Sequence, residues 1–214
     1  MKKIGLIIVI FALVCTMSLS MASCCCPTSK DEGTEGLAYT LLNDDTYAVS
    51  VGTARDETQI VIPREYNGKP VTAIAEYAFY QLENLEHVEI PDSVTRICSS
   101  AFYGCTGLTS IDIPGSVTKI DDEAFLGCTG LETVTISEGV KTIDSYAFAY
   151  CSNLTVVEIP TSVTSIGWYA FYNCTSLNTI RYVGSKANWN AMVKYDNWDT
   201  GTGNYTIYYN YTGK

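Results

Sequence analysis

One histidine, His87, stands among 214 residues. Imidazole is the usual general base near neutral pH and the commonest metal-binding ring, so its scarcity removes most triad, acid–base and zinc chemistry at the outset. The motifs that carry other chemistry are missing too. No G-x-S-x-G, H-E-x-x-H or phosphate-cradling glycine loop occurs, and each of those places a nucleophile, a metal or an anion at a required spacing. Basic residues are few: 13 Lys and Arg against 23 Asp and Glu give a net charge of −10, which disfavours a nucleic-acid partner. The longest apolar run, from Ile4 to about Met17, is shorter than the ~20 residues a membrane-spanning helix needs. Paired carboxylates such as Asp44-Asp45 and Asp121-Asp122 are neighbours in turns and read as solvated surface. The sequence therefore points away from an enzyme, and no cofactor and no metal site is expected.

What the chain does contain is a period. Isoleucines recur at Ile90, Ile113, Ile136 and Ile159, a step of 23 residues. An Ala-Phe pair keeps the same step at Ala78-Phe79, Ala101-Phe102, Ala124-Phe125, Ala147-Phe148 and Ala170-Phe171, and so do Cys105, Cys128, Cys151 and Cys174. Apolar residues at fixed phase over such a period mark a solenoid, in which each coil completes its core only against its neighbours. Within a coil, Val88-Glu89-Ile90, Ile111-Asp112-Ile113, Val134-Thr135-Ile136 and Val157-Glu158-Ile159 alternate as a half-buried strand does. Pro91, Pro114 and Pro160 end three of these strands and Ser137 replaces the proline in the fourth. A V-T-x-I element (Val94 to Ile97, Val117 to Ile120, Val163 to Ile166, with Val140 to Ile143 as a variant) supplies a second short strand. The Ala-Phe pair then sits on a short helical or turn segment with its phenylalanine inward, and Leu85, Leu108, Leu131, Leu154 and Leu177 close the ring.

The unit I-P-x-S-V-T-x-I-x-x-x-A-F-x-x-C-x-x-L-x-x-I/V-x resembles the leucine-rich repeats of BspA-type bacterial surface proteins over roughly residues 37 to 214. The resemblance implies a mostly β repeat solenoid of 23-residue coils, with stacked parallel strands, short helical turns, an N-terminal β cap and a C-terminal helix-plus-strand cap. It also implies display at the cell surface and adhesion to host matrix proteins or other bacteria.

The amino terminus fits that setting. Lys2 and Lys3, the apolar run, and small residues before Cys24 read as an export signal over residues 1–23. Two cleavage sites compete: Ser20-Met21-Ala22 would free Ser23, whereas Met21-Ala22-Ser23-Cys24 looks like a lipobox that makes Cys24 the lipidation site. The lipobox is the preferred reading, with a lipid anchor as the chain's only membrane contact. Loss of the leader takes the net charge to −12, with 11 basic and 23 acidic residues. Residues 24–36 are polar and read as a flexible tether. Residues 37–57 read as a hairpin cap turning at Asn43-Asp44-Asp45, residues 58–182 as the solenoid and 183–214 as the other cap, which is expected to end the domain. Ile62 to Ile90 spans 28 residues, so Arg64 to Lys69 holds an insertion. In the last segment Ser185 is a candidate N-cap, with Trp189, Met192 and Val193 on one helix face and a closing strand around Ile207 and Tyr209.

Four cysteines in phase invite a functional reading. With no C-x-x-C among the repeats and one histidine, metal ligation is not expected of them. Coils stack at about 4.8 Å, which fits the Cα range of a disulfide, but parallel in-register side chains keep their Cβ atoms too far apart to bridge. Buried thiols acting as small hydrophobes are the expectation. Cys98 has no cysteine in phase with it.

Binding remains. Two outward columns run along the strands: His87, Ser110, Thr133, Val156 and Thr179, and Glu89, Asp112, Thr135, Glu158 and Arg181. They form the candidate partner-binding face, for a protein or glycan at the cell surface. The alternative is a structural envelope component that binds another protein of the same cell. Tyrosines in two adjacent phases (Tyr77, Tyr146, Tyr169 and Tyr80, Tyr103, Tyr172) make a second candidate wall.

Overall fold

The computed structural model describes residues 33–213. Residues 1–23, read above as an export signal, and Cys24 lie outside the described residues. Two series of strands alternate along the chain. The first series comprises β3 (Gln59–Val61), β6 (His87–Glu89), β8 (Ser110–Ile113), β10 (Thr133–Ile136), β12 (Val156–Ile159), β14 (Thr179–Tyr182) and β16 (Thr206–Tyr208). The second comprises β5 (Lys69–Ile74), β7 (Arg96–Ile97), β9 (Lys119–Ile120), β11 (Thr142–Ile143), β13 (Ser165–Ile166) and β15 (Val193–Lys194). A hairpin of β1 (Ala38–Leu41) and β2 (Tyr47–Ser50), a short β4 (Glu65–Tyr66) and one helix, α1 (Lys186–Ala191), complete the elements among the described residues. The solenoid is thus a stack of coils, each contributing one strand to each of two parallel sheets.

Register follows the period. Thr133 lies opposite Ser110 and Val156, and Ile120 opposite Ile97 and Ile143. Strands β8 to β16 of the first series form one five-stranded ladder, β3 and β6 a separate pair, and the second series joins the hairpin in a nine-stranded sheet. Alternation decides which side chains enter the coil: Ile111 and Ile113 are buried while Asp112 is exposed, as period-two geometry demands. The proline after each strand withdraws a donor from the ladder. Ser137 stands in that place in one coil and uses its N–H, which donates to Ile113 O at 3.0 Å.

The Ala-Phe segments are consecutive turns and not helices. Tyr77, Ser100, Glu123, Tyr146 and Tyr169, each just before the alanine, have left-handed φ between 53° and 58°. Four residues on, Gln81, Gly104, Gly127, Tyr150 and Asn173 are left-handed again. Such a conformation is unfavourable for non-glycine residues, and here it aims backbone groups along the stack. The N–H groups of Phe79, Phe102, Phe125 and Phe148 donate to the carbonyls of Ala101, Ala124, Ala147 and Ala170 at 2.7–2.8 Å. The third side of the coil is therefore also hydrogen-bonded from coil to coil.

Inside, the five phenylalanines stack face to face. Centroids are 5.1 Å apart from Phe79 to Phe148 and 5.4 Å at the last step to Phe171. Each ring buries ~150–250 Å², and with Leu85, Leu108, Leu131, Leu154 and Leu177, all buried, this repeated set is the main source of folding free energy.

The ends depart from the repeat at one corner. Between β3 and β5 the inserted residues form β4, which pairs antiparallel with β5. Tyr66 from this insertion stacks on Tyr39 at 3.8 Å, with Tyr47 edge-on at 5.1 Å. Strand β2 extends the second sheet through β5 and leaves β1 as its edge. The polar segment ahead of the hairpin is docked where it is described: Thr34 N–H donates to Val61 O at 2.9 Å and Val61 N–H to Thr34 Oγ1 at 2.8 Å, covering the free edge of β3.

At the other end α1 occupies the equivalent corner, between β14 and β15. Ser185 is its N-cap: Ser185 Oγ accepts from Asn188 N–H at 3.2 Å and Asn188 Oδ1 accepts from Ser185 N–H at 3.2 Å, a reciprocal capping box. Trp189 and Met192 are buried. Val193 is not, and this corrects the expectation that it shares their face: Met192 leaves the helix in extended conformation, so Val193 begins β15 and points outward, 53% exposed. After β15 the chain turns once more and adds β16 to the first sheet, so the closing segment is itself a degenerate coil.

Candidate partner-binding faces

Neither expected column contains a buried residue. His87, Glu89, Asp112 and Thr133 are exposed, whereas Ser110, Thr135, Val156, Glu158, Thr179 and Arg181 are half-buried between their neighbours. Strand pairing extends both columns at each end: Gln59 and Val61 precede His87 and Glu89, and Thr206 and Tyr208 follow Thr179 and Arg181. Sequence reading missed these four residues. For the first pair the signal was present, because Gln59 to Pro63 has the spacing of the later strands; for the second it was hidden by the change of period after Tyr182.

Charge is unevenly placed along the second column. Arg181 Nη1 donates to Glu158 Oε1 at 2.7 Å, and its guanidinium lies 5.0 Å from the Tyr211 ring centroid. The hydrogen bond to the Glu158 carboxylate holds the guanidinium's pKa above its ordinary value. The carboxy-terminal half of the column is thereby neutralised. Glu89 and Asp112, by contrast, are adjacent acids with no ion pair among the described residues. The acidic end is available to a partner.

The tyrosines form a wall of ring contacts. Tyr80 stacks on Tyr103 at 5.0 Å and Tyr146 on Tyr169 at 5.1 Å. Tyr172 bridges edge-on to Tyr169 and Tyr150 at 5.4 and 5.3 Å. Tyr77 and Tyr150 are among the more exposed of these rings.

Asp121 is more than solvated surface. It shares Lys119 with Asp144, the two carboxylates accepting from Nζ at 2.8 and 2.6 Å. Those two bonds raise the ammonium's pKa.

The four in-phase cysteines are free and buried. Each thiol donates to the carbonyl of the phenylalanine 26 residues earlier: Cys105 to Phe79, Cys128 to Phe102, Cys151 to Phe125 and Cys174 to Phe148, at 3.0–3.3 Å. Burial pushes the Cys105 thiol up to about 12 and Cys128 and Cys151 well above their ordinary value. They are structural donors as well as small hydrophobes. Leu82 holds this phase in the first coil, which has no earlier Ala-Phe turn to donate to. Among the described residues, no group of three or more His, Cys, Asp or Glu side chains is placed to hold a metal ion, and no helix is long and apolar enough to cross a membrane.

Stacked parallel strands, an inward leucine and phenylalanine set and a coil of about 23 residues define a leucine-rich-repeat solenoid. The BspA type leucine rich repeat region matches in six copies across residues 72–193. The chain belongs to this family. A leucine rich cell surface protein from Faecalibacterium prausnitzii is 35% identical with a TM-score of 0.68; the match covers 75% of this chain and 41% of that one. This chain thus spans less than half of that relative's length. A leucine rich repeat protein of T. pallidum is 30% identical, with a TM-score of 0.67 and 71% of each chain covered. A leucine-rich repeat protein from Eubacterium ventriosum is 26% identical, with a TM-score of 0.55, over 77% of this chain and 50% of that one. None of the curated proteins searched matches the chain.

Proposed function

We propose that the protein is exported, anchored through a lipid on Cys24, and displayed at the cell surface, where the first sheet recognises a partner protein in adhesion. The observation that carries the recognition is the pair of outward columns: from β8 to β16 the side chains repeat in register across five strands, polar or aromatic except for Val156, and none of them is buried. A single coil offers two outward side chains, while a stable interface needs ~800 Å² per partner. Contact therefore runs across several coils. The open acids Glu89 and Asp112 favour a basic patch on the partner, and the neutral carboxy-terminal half supplies hydroxyl and aromatic contacts.

The test is a binding screen of the full chain against purified matrix proteins, mucins and the chain itself, followed by the variant Glu89→Lys, Asp112→Lys, Thr133→Lys. These residues are exposed and leave the inward set untouched, so melting stays near wild type. Affinity for the partner found should fall tenfold or more. Unchanged affinity in the folded variant would remove the columns from the site, and selective binding to the chain itself would favour an envelope component. Fatty-acid labelling that persists in Cys24→Ser would overturn the anchor, as would a mature wild-type chain beginning at Ser23.

A further inference from the structure

One corner of the solenoid carries an aromatic residue where its repeat forbids one. Position 168 is Trp168, and the residues in phase with it are Glu76, Ser99, Asp122 and Ser145, all polar. The indole is 51% exposed and so is not spent covering the core. Tyr195 meets it edge-to-face at 5.2 Å and is 46% exposed. Together they form one wall of a pocket of about 250 Å³ that runs between the second sheet and the turn wall. Gly167 also lines it, and its backbone approaches the previous coil so closely that a Cβ would lie 2.5 Å from Ser145 N.

The rest of the lining is largely polar and hydrogen-bonded. Thr142 and Ser165 present hydroxyls joined at 3.2 Å. Asp144 accepts from Ser145 N–H at 2.8 Å through Oδ1 and from Lys119 through Oδ2. An exposed aromatic face in one pocket with hydrogen-bonded hydroxyls and a carboxylate is the chemistry that holds a sugar ring: C–H bonds on one face of a pyranose pack on the aromatic ring, and the hydroxyl edge meets the polar lining. The volume lies below the ~300–1,000 Å³ typical of drug-sized ligands, which suits a single ring. Charge narrows the class. Lys119 is already shared between Asp121 and Asp144, so acids outnumber the base at this corner and an anionic sugar would meet net repulsion.

We propose that this pocket is a binding site for one neutral pyranose of a glycan, separate from the sheet columns and independent of their role. Saturation-transfer NMR on the full chain tests it, with the methyl glycosides of glucose, galactose, mannose and N-acetylglucosamine as probes and methyl glucuronide as the charged control. At least one neutral glycoside should give saturable transfer. Trp168→Ala should weaken it tenfold or more, Trp168→Phe should retain part of it, and Glu89→Lys, Asp112→Lys, Thr133→Lys should leave it unchanged. Because Trp168 is exposed, its variants should melt near wild type; should Trp168→Ala fail to fold, Tyr195→Ala takes its place. The proposal is overturned by the absence of transfer to every neutral glycoside at tens of millimolar, by binding that survives both aromatic substitutions, or by preference for the glucuronide.

Discussion

The central coils and the two end coils solve the same problem differently. From Val94 to Ile166 every coil hands its backbone groups to the next at a constant step, and Phe125 and Phe148 stack within 3° of parallel. At both ends the step lengthens to 28, from Ile62 to Ile90 and from Ile166 to its partner Lys194, and the added residues fall at the same corner. One insertion becomes a strand and the other a helix. The column of phenylalanines also ends differently: Trp198 meets Phe171 edge-on at 88° instead of continuing the stack. A repeat can be extended indefinitely, so it contains no instruction to stop; the irregular coils supply that instruction by covering the exposed ring and strand edges with aromatics and polar caps.

Removing one ring from each region sharpens the contrast and carries the largest expected effect. Phe125→Ala leaves a cavity flanked by two coils and should destabilise the whole domain by ~3–5 kcal/mol. Trp198 is half-buried and has a coil on one side only, so Trp198→Ala should cost ~1–3 kcal/mol. Hydrogen exchange adds a second readout: Trp198→Ala should speed exchange in residues 193–208 while the central ladder stays protected. Global loss of protection in Trp198→Ala would mean that the end coil is not a separate unit.

The cysteine phase breaks the comparison at a smaller scale, because Cys128 fills in a central coil the position that Leu82 fills at the end. Cys128→Ala removes both volume and the donor to Phe102 O and should cost ~1–2 kcal/mol. Cys128→Ser keeps the donor and should lose less than Cys128→Ala. If alanine is tolerated as well as serine in thermal melts, the thiol is only a filler. Peptide-level alkylation of the native protein should label Cys98 before Cys105, Cys128, Cys151 and Cys174: burial raises the pKa of Cys98 too, but Cys98 is only half-buried and the other four are closed to reagent.

What could be read in the sequence followed the same division. The inward set, the outward columns and the buried thiols share the 23-residue phase, and each was assigned from spacing alone. The thiol–carbonyl bonds were not legible, because their step of 26 links positions with no common motif. The left-handed turns were hidden for a related reason: tyrosine, glutamate and serine give no signal for positive φ, and only Gly104, Gly127 and Asn173 hint at it. Val193 was misassigned because helical periodicity continues past the point where Met192 becomes extended. The aromatic pocket was not legible although Trp168 stands out among its phase-mates, because its partner Tyr195 lies 27 residues on, outside the 23-residue phase.

The smallest effect concerns the one central coil that lacks its proline. Gly139 there has a φ of 125°, and a Cβ would lie 1.9 Å from Gly115 O, so the turn is open to glycine alone. Glu138 beside it reaches to the next coil, where its carboxylate accepts from Thr161 N–H and Oγ1 at 2.8 Å and from Ser162 N–H at 3.1 Å. Partial burial raises its pKa, but these hydrogen bonds outweigh it and leave the pKa below the usual glutamate value. A carboxyl group whose folded pKa is depressed adds stability above its unfolded pKa and loses it as pH falls through the folded one. Glu138 is exposed, so the contribution should be under ~1 kcal/mol. Glu138→Gln should therefore lower the melting temperature slightly at pH 7, and the gap to wild type should close as the pH drops below the glutamate range. A gap that persists in acid would show that the carboxylate's charge plays no part in holding the two turns together.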